Sequence, residues 1–256
     1  MPADERPAAP ARARPAANPS LLHVPDLGAS GATLKLPREE AHYVARVCRA
    51  RAGEIVEATD GRGALARLRL TSVGATVSAE VVSLECSERG CRAVLWCGAP
   101  ERGRADWLVE KLAELGVARF QPLECEGEPW SEGRARTERW RRLAVAGMRQ
   151  SRRVFLMEIG SPVSVGDAIE GLERPARRWV GDREGHRPGL DLPPAALEIG
   201  AIGPPSGFGA RDRERLEAAG FVPIRLSDGR LRTETAAIGL AAWWAAAAAG
   251  PSAPGG

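Results

Sequence analysis

The spacing of apolar and polar positions changes near residue 90. Before it, "EIVEATDGRGALARLRLTSVGATVSAEVVSL" alternates residue by residue, the period of half-buried strands, and "DGRG" marks a hairpin turn. "LLHVPDLGASGATLKL" has short apolar runs broken by Gly and Asp, again as in small β structure. The stretch "PREEAHYVARVCRARAGEIV" predicts one helix, with Pro37 in its first turn, Glu39 and Glu40 at its positive end and Gly53 after its stop. Residues 20–88 thus predict a compact, mostly β module with one helix.

From about Cys91 the pattern becomes strand, helix, strand. "RAVLWCGA" is a continuous apolar strand, and "RADWLVEKLAELGV" an amphipathic helix closed by Gly116. "RFQPLEC" is the next strand and "TERWRRLAVAGMRQS" a basic helix. "RWVGDREG", "LEIGAIGPPSGFG" and "GFVPIRLSDG" each run from an apolar strand into a polar loop with glycine, and "GARDRERLEAAG" is a helix between the last two. Residues 90–250 therefore predict an α/β domain on a largely parallel sheet. Ligands of such sheets bind beyond the carboxyl ends of the strands, where these loops lie. The tracts 1–19 and 251–256 read as a disordered extension and a flexible tail.

Composition adds exclusions. The chain has 256 residues, 44% hydrophobic and 27% charged, with a net charge of +3, which suits a globular protein and does not by itself announce a polyanion partner. The basic charge is concentrated: residues 132–153 hold eight arginines against two acidic residues. This helix is either a solvated face or a contact for RNA. Five cysteines without CxxC pairs argue against a disulfide framework, and His23, His42 and His186 lack ligand spacing, so no metal is expected. The N-terminus has no secretory core and the run 236–249 is too short to span a bilayer, so a cytoplasmic protein without membrane contact is expected.

Two loops carry candidate chemistry. "IGPPSGFG" places three glycines between a strand and a helix, either as an ordinary tight turn or as a close backbone approach to a ligand. It is not GxGxxG, and no P-loop pattern occurs. In "LSDGRLRTET", Thr233 or Thr235 can cap the final helix and Glu234 can favour its dipole, but Arg230 and Arg232 oppose it. That conflict points to an anionic ligand or RNA phosphate.

Together, "IGPPSGF…AGFVPIRLSDGRLRTETAA", "EKLAELGVARFQPL", "ERWRRLAVAGMRQSRR" and "HYVARVCRARAGEIVEATDGRG" resemble, in order, the motifs of the RsmE family. These are SPOUT-class methyltransferases that act on a uridine of small-subunit ribosomal RNA. The resemblance covers roughly residues 20–248. It implies a PUA-like β-barrel for RNA binding over 20–88 and, over 90–250, an α/β domain tied in a trefoil knot. It further implies S-adenosyl-L-methionine as cofactor, homodimerisation, and methylation of uracil N3 in 16S rRNA. Carried over, the cofactor loops hold Gly181, Asp182, Arg183 and Glu184; Ile202, Gly203, Pro204, Ser206 and Gly207; and Leu226, Ser227, Leu231 and Thr233. Arg232 is the expected catalytic residue, and Arg46 and Arg49 the expected RNA contacts, joined by Arg141, Arg142, Arg152 and Arg153 of the basic helix.

Two departures fall in the cofactor loops. Pro205 and Ser206 stand where the family has Glu and Gly in "GPEGG", and Ser227 stands for Gly in "LGxRILR". Pro205 lacks an N–H and Ser206 adds a side chain in a tight turn. They feed a second reading, a non-catalytic RNA-binding assembly protein with a decayed cofactor site. A related methyltransferase for another RNA is the third.

Overall fold

The alternation before residue 90 closes into a five-stranded sheet. The computed structural model describes residues 21–130, 137–189 and 195–249. Strands β1 (Leu22–His23), β2 (Thr33–Lys35), β3 (Ile55–Thr59), β4 (Ala64–Val73) and β5 (Val77–Cys86) lie in the order β1-β3-β4-β5-β2. On β4, Ala66, Leu68 and Leu70 are buried while Arg67 and Arg69 face out, which is the period of two made physical. The "DGRG" turn joins β3 to β4, with the Asp60 carboxylate accepting the N–H groups of Arg62 (2.7 Å) and Ala64 (3.1 Å).

The helix expected after Pro37 is shorter and less regular than its sequence suggested. α1 (Arg38–His42) passes into a π-helical turn at Tyr43–Val47 and stops at Cys48, with Arg49 at φ +52°. The physical reason is burial: Val44 is the buried apolar side chain of that turn, and "CRARAG" offers no further apolar spacing to hold a helix on the sheet.

The second unit alternates through β6 (Arg92–Cys97), α2 (Ala105–Leu115), β7 (Arg119–Glu124), α3 (Thr137–Gln150), β8 (Glu158–Ile159), β9 (Val163–Ser164) and α4 (Val165–Glu170). It continues through β10 (Arg177–His186), β11 (Leu197–Ile202), α5 (Ala210–Ala218), β12 (Val222–Ile224) and α6 (Thr233–Ala249). The sheet runs β12-β10-β11-β6-β7-β8, with β9 beside β7, and its ladders are parallel. β6 is apolar from Ala93 to Cys97 because both its faces are covered there. Leu95 and Cys97 join the core made with α2, α3 and α6, while Val94 and Trp96 join the core made with α4 and α5. Gly200 in the apolar run of β11 has a matching cause: α6 lies so close that a Cβ at Gly200 would fall 2.3 Å from Leu240 Cδ2.

The two units are stapled together. Segment 154–156, after α3, runs along the "DGRG" turn: Gly63 N–H donates to Val154 O (3.0 Å), Leu156 N–H to Gly61 O (2.8 Å) and Thr59 Oγ1 to Val154 O (3.1 Å). Arg149 of α3 reaches Glu40 (3.2 Å) and the Leu21 carbonyl (3.1 Å), and stacks over the Tyr43 ring. These contacts set the barrel's orientation relative to the parallel sheet.

Candidate active site

Three strands of the parallel sheet end at one cleft of about 660 Å³. β10 does not simply stop at Gly181, as its sequence suggested. Gly181 and His186 both register against Ile224, so Asp182–Gly185 bulges out of the ladder between them. This bulge forms one wall, and its Asp182 carboxylate accepts the Glu184 N–H (2.9 Å) while pairing with Arg213 of α5 (3.1 Å). The loop after β11 forms the floor and the loop before α6 the far wall.

All thirteen residues expected to hold the cofactor line this one cleft: Gly181 to Glu184, Ile202 to Pro204 with Ser206 and Gly207, then Leu226, Ser227, Leu231 and Thr233. The loops are tied to each other. Thr233 Oγ1 donates to Gly203 O (3.0 Å), and Arg230 Nη2 donates to Pro205 O (2.7 Å). Val180, Ile202, Phe208 and Phe221 supply apolar surface, Asp182, Glu184 and Glu217 negative charge, and Arg183, Arg213, Arg225 and Arg230 positive charge. Such a lining suits a ligand with a flat apolar portion and charged groups of both signs.

Pro205 and Ser206 fit the turn they occupy. Gly207 N–H donates to Pro204 O (2.8 Å), which makes Pro205 and Ser206 the two central residues of a β-turn. Proline at the first central position has a φ already suited to the turn, and its missing N–H is not called on there. Ser206 is not among the residues with positive φ; that conformation falls on Gly207 at +85°, where the lack of a Cβ permits it.

Arg232 lies beside the cleft rather than in its lining. Its guanidinium is half exposed and pairs with Glu101, from the loop that follows β6. The same loop brings Arg104 towards Glu234. Glu101 and Arg104 were missed in the sequence. The available signal was their place in "GAPERGR", a polar Gly/Pro-bearing loop at the carboxyl end of a parallel strand. Behind this loop Cys97 is fully buried, and burial, with Cys125 and Glu234 nearby, holds its thiol well above the usual range; Cys125 is likewise pushed up to about 12, chiefly by burial. Neither thiol is poised as a nucleophile.

The arginines expected to meet RNA are spread over two units. Arg46 and Arg49 are exposed at the end of the α1 segment. Arg141 pairs with Glu138 one turn away and Arg152 with Glu57 of β3, whereas Arg142 is exposed with no ion-pair partner among the described residues. Arg153 is used inside the protein: Nε donates to Glu114 O (2.7 Å) and Nη2 to Leu115 O (3.0 Å), satisfying carbonyls at the C-terminus of α2. Arg153→Ala is therefore expected to cost about 2–3 kcal/mol of stability and to leave the salt dependence of RNA binding unchanged. Denaturant melts beside RNA titrations check this; a folded, equally stable variant with a shallower salt slope contradicts it.

A parallel sheet covered on both faces, with a cleft at its carboxyl ends and a small β module docked at its side, is the architecture of a SPOUT methyltransferase behind a PUA-like domain. Residues 87–245 match the family described as RNA methyltransferase domain, and residues 36–78 the RNA methyltransferase PUA domain. The chain belongs to this RNA methyltransferase family.

Among its relatives is the ribosomal RNA small subunit methyltransferase E of Aquifex aeolicus, 34% identical over 140 residues that span 53% of this chain and 59% of that protein. The protein of the same name from Synechocystis is 29% identical over 214 residues, 80% of this chain and 70% of the other. Two solved structures share the fold. The Neisseria gonorrhoeae ribosomal RNA small subunit methyltransferase E, bound to S-adenosyl methionine, superposes with a TM-score of 0.79 at 22% identity, covering 87% of this chain and 95% of that one. A probable rRNA-methyltransferase from Porphyromonas gingivalis gives 0.78 at 26% identity, covering 90% and 98%.

Proposed function

We propose that this protein transfers the methyl group of S-adenosyl-L-methionine to N3 of a uridine in 16S small-subunit ribosomal RNA, as a cytoplasmic homodimer. The observation that carries the reading is the convergence of three strand-end loops on one cleft, two of them, after β11 and before α6, bearing motifs of the family. The residues present fit the donor. Its apolar base portion would find Ile202, Phe208 and Phe221, its cationic portions Asp182, Glu184 and Glu217, and its carboxylate the arginines at positions 183, 213, 225 and 230. When bound, the donor supplies a methyl group made electrophilic by its sulfonium.

The chain's own work is alignment and charge. Gly203 and its neighbours bring backbone to the donor's edge, and the apolar walls keep water from the methyl group. Uracil N3–H must lose its proton before or during attack. The Arg232 guanidinium, next to the cleft-lining Thr233, favours the uracil anion by charge-assisted hydrogen bonding. A paired base hides this nitrogen, so the target uridine has to leave its stack. The exposed arginines at positions 46, 49 and 142 offer contacts for the RNA backbone.

The alternative of a decayed donor site rested on Pro205 and Ser206. Both fit their turn and leave the loop wrapped around the cleft, which favours the catalytic reading. The deciding experiment is nucleoside mass spectrometry of 16S rRNA from a strain lacking this gene. One N3-methyluridine is expected to disappear and to return on treatment with purified protein and donor. An unchanged nucleoside profile overturns the proposal.

A further inference from the structure

The loop Gly98–Arg104 and the start of α6 exchange charges. The loop's Glu101 takes the guanidinium of Arg232, and its Arg104 approaches Glu234 of α6, with Nε 3.8 Å from Oε1. Each element thus gives one cation and one anion to the other. The two pairs differ in depth. Arg232 and Glu101 are both about half exposed, whereas the Glu234 side chain is only 4% exposed beneath an Arg104 that is 54% exposed.

Glu234 is an odd residue for a purely structural place. Its Oε2 is buried and has no hydrogen-bond partner, although it sits in the first turn of α6, where backbone N–H groups abound. A buried carboxylate oxygen left unsatisfied opposes folding. A negative charge held under an outward-reaching arginine explains its presence. Glu234 approaches Arg104 most closely at Nε, and the Arg104 side chain is 54% exposed, so its guanidinium remains open to a further partner through its two terminal nitrogens. Those two nitrogens form the fork that matches the oxygens of a phosphate. The residue preceding Glu234 is Thr233, which lines the donor cleft, so Arg104 stands at the margin of that cleft.

Building on the reading of the cleft as the donor site of an RNA methyltransferase, we propose that the Gly98–Arg104 loop forms an adjoining nucleotide subsite. In it Arg104, positioned by Glu234, binds a phosphate of the RNA next to the target base. Arg232 then serves the base and Arg104 the backbone, both at the start of the same helix. Glu101 keeps Arg232 turned towards this subsite.

The test measures binding of the full chain to an unmodified 16S rRNA transcript across a salt series, with donor binding followed by calorimetry and folding by thermal melts. Arg104→Ala is expected to weaken RNA binding about tenfold and to lower the slope of log K against log salt by about one. Its donor affinity is expected to stay as in the unaltered protein, and its melting temperature to fall modestly, because the buried Glu234 carboxylate loses its counter-charge. Arg104→Lys is expected to keep the salt slope while losing part of the affinity, because the charge remains and the fork does not. Glu234→Gln is expected to weaken RNA binding in the same direction, and the double variant to bind no worse than Arg104→Ala alone.

An unchanged salt slope in Arg104→Ala overturns the subsite, as does a full additional loss when Glu234→Gln is combined with it. If Glu234→Gln loses its melting transition, the two Arg104 variants decide alone. An unaltered protein that binds RNA but takes up no donor sinks the reading of the cleft, and the Arg104 measurements still stand on their own.

Discussion

Replacing Arg232 by alanine is expected to lower turnover by about 10²–10³-fold, the range for removing one preorganised donor to a developing anion, while S-adenosyl-L-methionine affinity changes by no more than about twofold. The split follows from position. Arg232 does not line the donor cleft, but its neighbours Leu231 and Thr233 do, so the guanidinium stands outside the donor's volume and within reach of whatever docks beside it. The fold is indifferent to the change, because the ion pair lost with Glu101 is half exposed and such pairs contribute roughly 0–1 kcal/mol. Single-turnover rates with rRNA and calorimetry with the donor measure the two quantities separately. Equal losses in both would show that Arg232 supports the donor and has no role in stabilising the uracil anion. Arg232→Lys is a useful companion, since it retains the charge without the planar fork.

The second large effect belongs to the floor of the cleft. Gly203→Ala would place a Cβ 2.9 Å from Phe208 N and 3.0 Å from the carbonyl carbon of Gly207. Both are backbone atoms in the loop that Thr233 and Arg230 hold from the other side, so the loop cannot give way without opening the turn. Overpacking of this kind costs about 1–3 kcal/mol, here charged against the donor-binding conformation. Donor affinity is expected to fall roughly ten- to a hundredfold, with RNA affinity preserved. Calorimetry against both ligands reads the result. Undiminished donor binding would mean that the floor of this cleft is not where the donor lies.

The legible part of the fold was whatever one face of one element encodes. The period of two in β4, the unbroken apolar run of β6 and the Gly116 stop of α2, which takes a left-handed φ of +82°, each report burial or backbone geometry at that place alone. The loops around the cleft were legible for a related reason: each joins a strand end to the next element, and chain order by itself puts such loops at one edge of a parallel sheet. Where a reading went astray, the deciding partner was distant in sequence. The α1 segment ends early because Val44 is the last fully buried side chain it gives the sheet, with only the small Ala45 and Ala50 packed in part after it. The strand β10 runs on to His186 because Ile224 of β12 pairs with it twice. Arg153 looked like one more cation on a basic helix until α2 was seen to end beside it with two open carbonyls.

The sequence by itself determined two successive units, their elements and the three strand-end loops that build the cleft, because periodicity and glycine placement are local consequences of backbone geometry. Only the tertiary structure decided which arginines are free to act and which charges they meet. It paired Arg232 with Glu101, set Arg104 over a buried Glu234, tied Arg152 to the barrel and turned Arg153 inward. A long flexible side chain takes its partner from whatever the fold brings within a few ångströms, and no spacing along the chain records that distance.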